Sequence, residues 1–292
     1  MPEVMQRLCW ILGSVALCAC SASSAPEAAT LTDAGLPRVD ASLGGGEGGG
    51  SASSDDGGAI LVPIHTRPSC PSGMAQVTTY CIDKWEAYVV ELDAQGNEHP
   101  HSPYDTVDGL TVRAKTAPSV VPQGYISQVQ ATQACNNAGK RLCSADEFHL
   151  ACEGPGSDNW YPYGGTTHIP GYCNEGKGCM MPVLFGDNNQ YWTYADFNDP
   201  RLNQIDGGLS PTASFPHCES PYGVFDCGGN LHEWGSDPAD TNGHGRFRGG
   251  FYGDAEINGH GCLYTTSAHE LTYHDYSTGF RCCIDFAAGG GG

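Results

Sequence analysis

Positive charge is what this chain has least of. Thirteen Lys and Arg stand against 33 Asp and Glu, a formal net charge of −20 over 292 residues. A surface this acidic repels phosphate backbones, which excludes nucleic acid as a partner. It is compatible with Ca²⁺, although acidity alone usually marks a solvated surface. No two cysteines stand in CxxC spacing, which removes the common zinc patterns. Neither a GxSxG elbow nor a GxxxxGK phosphate loop occurs, and no internal repeat is visible. His269-Glu270-Leu271-Thr272-Tyr273-His274 has one residue too many for a zincin motif. On a helix its two histidines would diverge by about 140° and could not grip one ion.

What is present begins with an export signal. Residues 1–20 read as one Arg, an apolar run from Leu8 to Leu17 and then small residues, the layout of a signal peptide and too short to span a bilayer. Leu17-Cys18-Ala19-Cys20 resembles a lipobox, in which Cys20 is lipidated and becomes the mature N-terminus. Cleavage near Ala25 without lipid is the alternative. Residues 21–58 are mostly Gly, Ser, Ala and Asp, with little apolar surface to bury, and are expected to form a tether. That leaves one domain over 59–292, lipid-anchored at the outer membrane or cell surface. Twelve of the fifteen cysteines lie in it, from Cys70 onward. An even number at this density points to disulfides and an oxidising compartment.

Regular structure is sparsely signalled. Thr78-Thr79-Tyr80-Cys81-Ile82 and Ala87 to Leu92 are rich in Thr, Tyr and Val and predict strands. Val129, Ala131, Thr132 and Cys135 recur at helical spacing, predicting a helix from about Ser127 to Ala138, closed by Gly139. A second helix should start at Ser144, with Glu147 completing a capping box and Phe148, Leu150, Ala151 and Cys152 following. Beyond Gly154 the Gly, Pro, Asn and Asp content predicts mostly ordered loop. The fold class is α+β, a single loop-rich domain stapled by disulfides.

Several motifs recur together in order. Ala134-Cys135-Asn136-Asn137-Ala138-Gly139-Lys140-Arg141-Leu142 leads into Ala145-Asp146-Glu147-Phe148 and Ala151-Cys152-Glu153-Gly154. Tyr161-Pro162-Tyr163-Gly164 follows, then Tyr222-Gly223-Val224-Phe225-Asp226-Cys227-Gly228-Gly229-Asn230-Leu231-His232-Glu233-Trp234. Arg248-Gly249-Gly250-Phe251-Tyr252 and Gly279-Phe280-Arg281-Cys282 close the set, and CIDKWEAY from Cys81 opens it. From about Cys70 to Asp285 the chain resembles the sulfatase-modifying factor domain of formylglycine-generating enzymes. That resemblance implies a fold related to C-type lectins.

It also implies two bridges, Cys135 with Cys282 and Cys152 with Cys262. Cys143 and Cys283 both sit beside the first bridge, which suggests that they pair with each other. Sequence proximity suggests Cys70 with Cys81, Cys173 with Cys179, and Cys218 with Cys227. The family's enzymes hold Cu(I) on two cysteines shortly after the RGG segment. A gapless reading puts Asp254 and Gly259 there, and Cys262 is the one cysteine between Cys227 and Cys282. Copper is therefore not expected, since a carboxylate is a poor substitute for thiolate. No catalytic residue is assigned. The family's calcium sites imply two ligand sets: Asn174, Glu175, Asp206 and Gly208, and Asp226, Gly229, Leu231 and Glu233. Carboxylate, amide and backbone oxygens are what Ca²⁺ takes. Together these readings describe an exported, non-catalytic binding module for a protein, peptide or glycan. The rival is an active formylglycine-generating oxidase, or related oxidoreductase, with a displaced metal site.

Overall fold

The computed structural model describes residues 69–285 except 157, 188 and 268. The signal segment 1–20 with Cys20 and the tether 21–58 lie outside the described residues.

Strands β1 (Met74–Val77) and β2 (Tyr80–Asp83) form a hairpin with Val77 opposite Tyr80. Its two-residue turn holds Thr78 at φ 46°, as tight hairpins require. The single extended run expected over 78–82 is therefore interrupted at Thr78 and Thr79. Strand β3 (Ala87–Leu92) is the centre of a three-stranded antiparallel sheet, flanked by β4 (Glu98–Pro100) and β5 (Val112–Thr116). Alternation along β3 and β5 turns Ala87, Val89, Val112 and Ala114 into a core shared with Ile126, Trp234, Phe247 and Phe280.

Helix α1 (Gln128–Asn137) starts on a full capping box between Ser127 and Gln130. It buries Gln128, Ala131, Ala134 and Cys135. Val129, counted with the inner face by its spacing, lies about 100° round from Gln128 and is 48 % exposed. A two-residue strand, β6 (Arg141–Leu142), precedes α2 (Ala145–Glu153), where Ser144 and Glu147 form the second capping box. Phe148, Ala151 and Cys152 face inward from α2.

Among the described residues of 154–231 there are only short helical turns and one isolated bridge, between Glu219 and Phe225. Regular structure resumes with β7 (His232–Pro238), β8 (Gly245–Arg248), β9 (Thr265–Thr266), β10 (Thr278–Gly279) and β11 (Cys282–Asp285). One four-stranded sheet runs β10-β7-β8-β9, the other β1-β2-β11-β6. A third apolar cluster, with Tyr125, Met181, Leu202, Phe251, Tyr252 and Tyr276, underlies the loops.

Five disulfides join described residues. Cys135–Cys282 and Cys143–Cys283 both converge on β11. Successive strand residues point to opposite faces, and here Cys282 enters one apolar cluster with Cys135 while Cys283 enters another with Cys143. Cys152–Cys262 pins the end of α2 to the turn Gly261–Leu263, and Cys70–Cys81 ties the approach to β1 onto β2. The other local pairings are corrected. Cys173 bonds Cys218, not Cys179, and Cys227 is free and buried. The reason is register. Asp226 N donates to Cys218 O at 2.9 Å, so Cys227 falls one residue out of step with Cys218 and packs with Phe148 and Val224 in the second cluster. Burial pushes its thiol up to about 12.

Candidate functional site

The segment from Asp226 to Glu233 carries a polar hub into the centre of the domain. Gly229 has φ +87°, and a Cβ there would lie 2.1 Å from Asn174 O. Only glycine lets these two loops touch. Asn230, at φ 58°, then sits among three loops. Its Nδ2 donates to a Glu86 carboxylate oxygen and to Ser210 O at 3.2 Å. Its Oδ1 accepts from Asn174 Nδ2 at 2.8 Å and from Ser210 N at 3.1 Å. Leu231 N donates to the other Glu86 oxygen at 3.0 Å.

Beside this hub, Asp226 Oδ2 accepts from Ala213 N at 2.7 Å. Arg281 donates from Nε and Nη2 to both oxygens of Glu233, and from Nη1 and Nη2 to the carbonyls of Asp83 and Phe225. Burial is the main cause that raises all three carboxyl groups above their ordinary range. Glu86 goes well up, with the charges of Asp226 and Glu233 adding to the effect. Asp226 is pushed up to about 6, and Glu233 also moves up, although Arg281 opposes the shift in both. For Arg281, burial works against the charge, but the groups around it, Glu233 foremost and Glu86 among them, together outweigh burial and the guanidinium stays protonated.

The two ligand sets inferred for calcium differ in their fit. Asn174 is buried, its amide donates to Gly208 O at 3.0 Å, and its Oδ1 is buried with no hydrogen-bond partner. A lone amide oxygen is a donor atom of the kind Ca²⁺ uses. Glu175 engages His168 through its side chain at 2.7 Å, which leaves its carbonyl as the relevant atom, and Asp206 is exposed. In the second set Glu233 already gives both oxygens to Arg281, so Asp226 with the carbonyls of Gly229 and Leu231 is what remains. Among the described residues no group of three or more His, Cys, Asp or Glu side chains converges as a metal centre would require.

The loop after Arg248-Gly249-Gly250 is built around tight turns. Phe251 and Asp254 exchange backbone hydrogen bonds at 2.8 and 3.0 Å. Asp254 Oδ1 then accepts from the N–H groups of Glu256 and Ile257, at 2.9 and 3.1 Å, and its Oδ2 is buried without a partner. Asp254 thus caps the turn that follows it. Gly259 has φ +114°, and a Cβ would lie 2.7 Å from Leu263 O, so this position does not admit a side chain without backbone movement. His260 Nδ1 meets Glu256 Oε2 at 2.6 Å, and Cys262 is in its disulfide.

Behind the loop, His232 bridges Ser277 Oγ at 3.1 Å and Tyr264 OH at 3.2 Å. Burial lowers its pKa to about 3, so it is neutral in ordinary buffers. Sequence reasoning missed this bridge, as it missed Glu86 and the partner of Arg281. Glu86 lies within the CIDKWEAY stretch and Arg281 within GFRC. A charged residue set directly between aromatic or apolar neighbours, Trp85-Glu86-Ala87 and Phe280-Arg281-Cys282, was the available signal.

The family described as "Sulfatase-modifying factor enzyme 1-like domain" matches residues 49–286. No curated protein matches the chain. Among solved structures, the Major Tropism Determinant U1 variant is 15 % identical over 74 % of this chain, with a TM-score of 0.39. The chain spans 53 % of that protein, about half its length. PvdO from Pseudomonas aeruginosa is 14 % identical, covering 71 % of this chain and 94 % of its own, with a TM-score of 0.42. Treponema denticola variable protein 1 is 14 % identical over 74 % of this chain and 92 % of its own, with a TM-score of 0.45.

Proposed function

The chain belongs to the sulfatase-modifying factor enzyme 1-like family, and we propose that it is a binding member of that family without the copper oxidase chemistry. The observation that carries this reading is the loop after RGG. Asp254 is used there as a turn cap, Gly259 has no room for a side chain, and Cys262 is held in a bridge to Cys152. The free thiol of Cys227 packs in the apolar core, where burial keeps it protonated. A soft Cu(I) ion would find no thiolate pair in such a loop.

Metal analysis of the purified protein, coupled to an oxidation assay, tests the reading. With reductant, O₂ and added copper, the protein should neither retain copper nor convert Cys to formylglycine in a sulfatase-derived peptide. Product above a copper-only control would overturn it. The rival, a displaced metal site, draws on the unpartnered buried oxygens Asp254 Oδ2 and Glu256 Oε1. Stoichiometric redox metal in the purified protein would favour that rival.

The disulfides fit an exported protein. We extend that to a lipid anchor at Cys20 and a tether over 21–58 that holds the binding domain off the membrane. Cys20→Ser should release the protein or block its maturation. A mature N-terminus at Pro26 or later, without lipid, would refute the anchor.

A further inference from the structure

The rings between Trp160 and Tyr172, joined by His217 and His260 from other loops, form a connected aromatic run. Trp160 stacks on His260, with centroids 5.0 Å apart and planes 7° from parallel. Tyr161 stacks on Tyr163 at 5.2 Å, Tyr163 meets Tyr172 edge-on at 5.0 Å, and Tyr172 stacks on His217 at 4.4 Å. Tyr161 links the two halves, its ring 6.5 Å from that of His260. The run ends in the open. Trp160 is 38 % exposed, and His217 and His260 are exposed as well.

The two carboxylates that touch the run are each engaged through one oxygen. Glu256 Oε2 accepts from Tyr161 OH at 3.1 Å and meets His260 Nδ1 at 2.6 Å. Glu175 Oε1 pairs with His168 Nε2 at 2.7 Å. A basic peptide would therefore compete with Tyr161 and the two histidines for these acids. An anionic ligand would be repelled by a chain of net charge −20. The remaining complement for apolar faces with polar edges is an uncharged ligand of the same character.

We propose that this run is a binding strip for a neutral oligosaccharide. The sugar's C–H faces stack on the open rings at Trp160 and His217, and its hydroxyls meet the tyrosine and histidine edges. Each ring is held by its neighbour, so the strip is ordered before a ligand arrives and less conformational entropy is lost on binding. This inference rests on the reading of the domain as a binding module.

The test is calorimetry on the purified protein with cellohexaose, chitohexaose and maltohexaose, after a screen on an array of neutral glycans. Polygalacturonate and octalysine serve as the anionic and cationic probes. A neutral glycan should bind, and Trp160→Ala should weaken it about tenfold, the size of one lost stacking contact. His217→Ala should weaken it in the same direction. Tyr191→Ala, which removes a ring 72 % exposed and outside the run, should change nothing. Circular dichroism and melting of each variant exclude misfolding. The proposal is overturned by no binding to any neutral glycan, by binding indifferent to Trp160→Ala, or by preference for either charged probe. Failure here together with an absent oxidase activity sinks the strip alone. Oxidation of the sulfatase peptide would sink the binding-module reading whatever the sugars do.

Discussion

Arg281 spans both carboxylate oxygens of Glu233, with their side chains 1 % and 2 % exposed. Such a bidentate, charge-assisted pair is strong where water cannot compete. Its value lies in being complete, because removing one partner strands the other charge. Glu233→Gln should therefore cost about 3–5 kcal/mol, read as a lower midpoint in denaturant. Replacing both residues by apolar side chains of similar volume should cost less than the single change. If the single variant melts like the parent, the pair is not a structural element.

The RGG loop gives a sharper prediction. Asp254→Cys with Gly259→Cys restores the two family positions in sequence, yet Gly259 lies at φ +114° beside Leu263 O. Gly259→Ala alone should cost about 1–3 kcal/mol, since a side chain is strained there. The double variant should melt lower than the parent and hold no stoichiometric copper. A native-like melt with copper bound would show that the loop follows the family's path after all.

Two buried groups set opposing pH dependences. Asp226 is raised from 3.8 to about 6 in the folded state. The native state thus binds its proton more tightly, and that contribution is present below about pH 4 and lost as pH rises through 6. His232 is lowered from 6.5 to about 3. Its contribution is present above pH 6.5 and lost as pH falls toward 3. In buffers containing EGTA, Asp226→Asn should raise stability at pH 7.5 by about 1–3 kcal/mol and remove the first limb. Denaturation midpoints measured from pH 4 to 8 decide it. With the chelator present, a variant less stable than the parent at pH 7.5 would show that the ionised Asp226 carboxylate is not penalised by its burial.

Calcium separates the two ligand sets. Ca²⁺ should raise the melting temperature of the parent, because a ligand that binds only the native state stabilises it. Asn174→Ala removes the unpartnered Oδ1 and should abolish that increment, whatever it does to the starting stability. Glu233→Gln should leave the increment in place. An increment surviving in Asn174→Ala would move the ion elsewhere.

How much of this was legible depended on distance along the chain. The capping box of Ser144 with Glu147 is four residues of local chemistry, and it stands as read. The α+β, loop-rich character was equally visible in composition and motif order. The pairings of Cys173 and Cys218 were not, because proximity in sequence was the guide and hairpin register decided otherwise. Glu86 and Asn230 meet across 144 residues, and nothing local announces such a meeting. Gly229 was placed in a calcium set through its carbonyl. Its close approach to Asn174 depends on a backbone angle that no side-chain pattern encodes.

The placement of Cys282 and Cys283 has a bearing on biogenesis. Strand β11 lies between β2 and β6, and its two bridges close spans of 147 and 140 residues. A chain emerging N-terminus first has its earliest strands and both long helices outside before their common partner arrives. Oxidation before that moment would leave Cys135 and Cys143, eight positions apart in sequence, free to react with each other or with a neighbouring molecule. The fold therefore places a premium on late thiol chemistry, and on an isomerase able to undo an early bond.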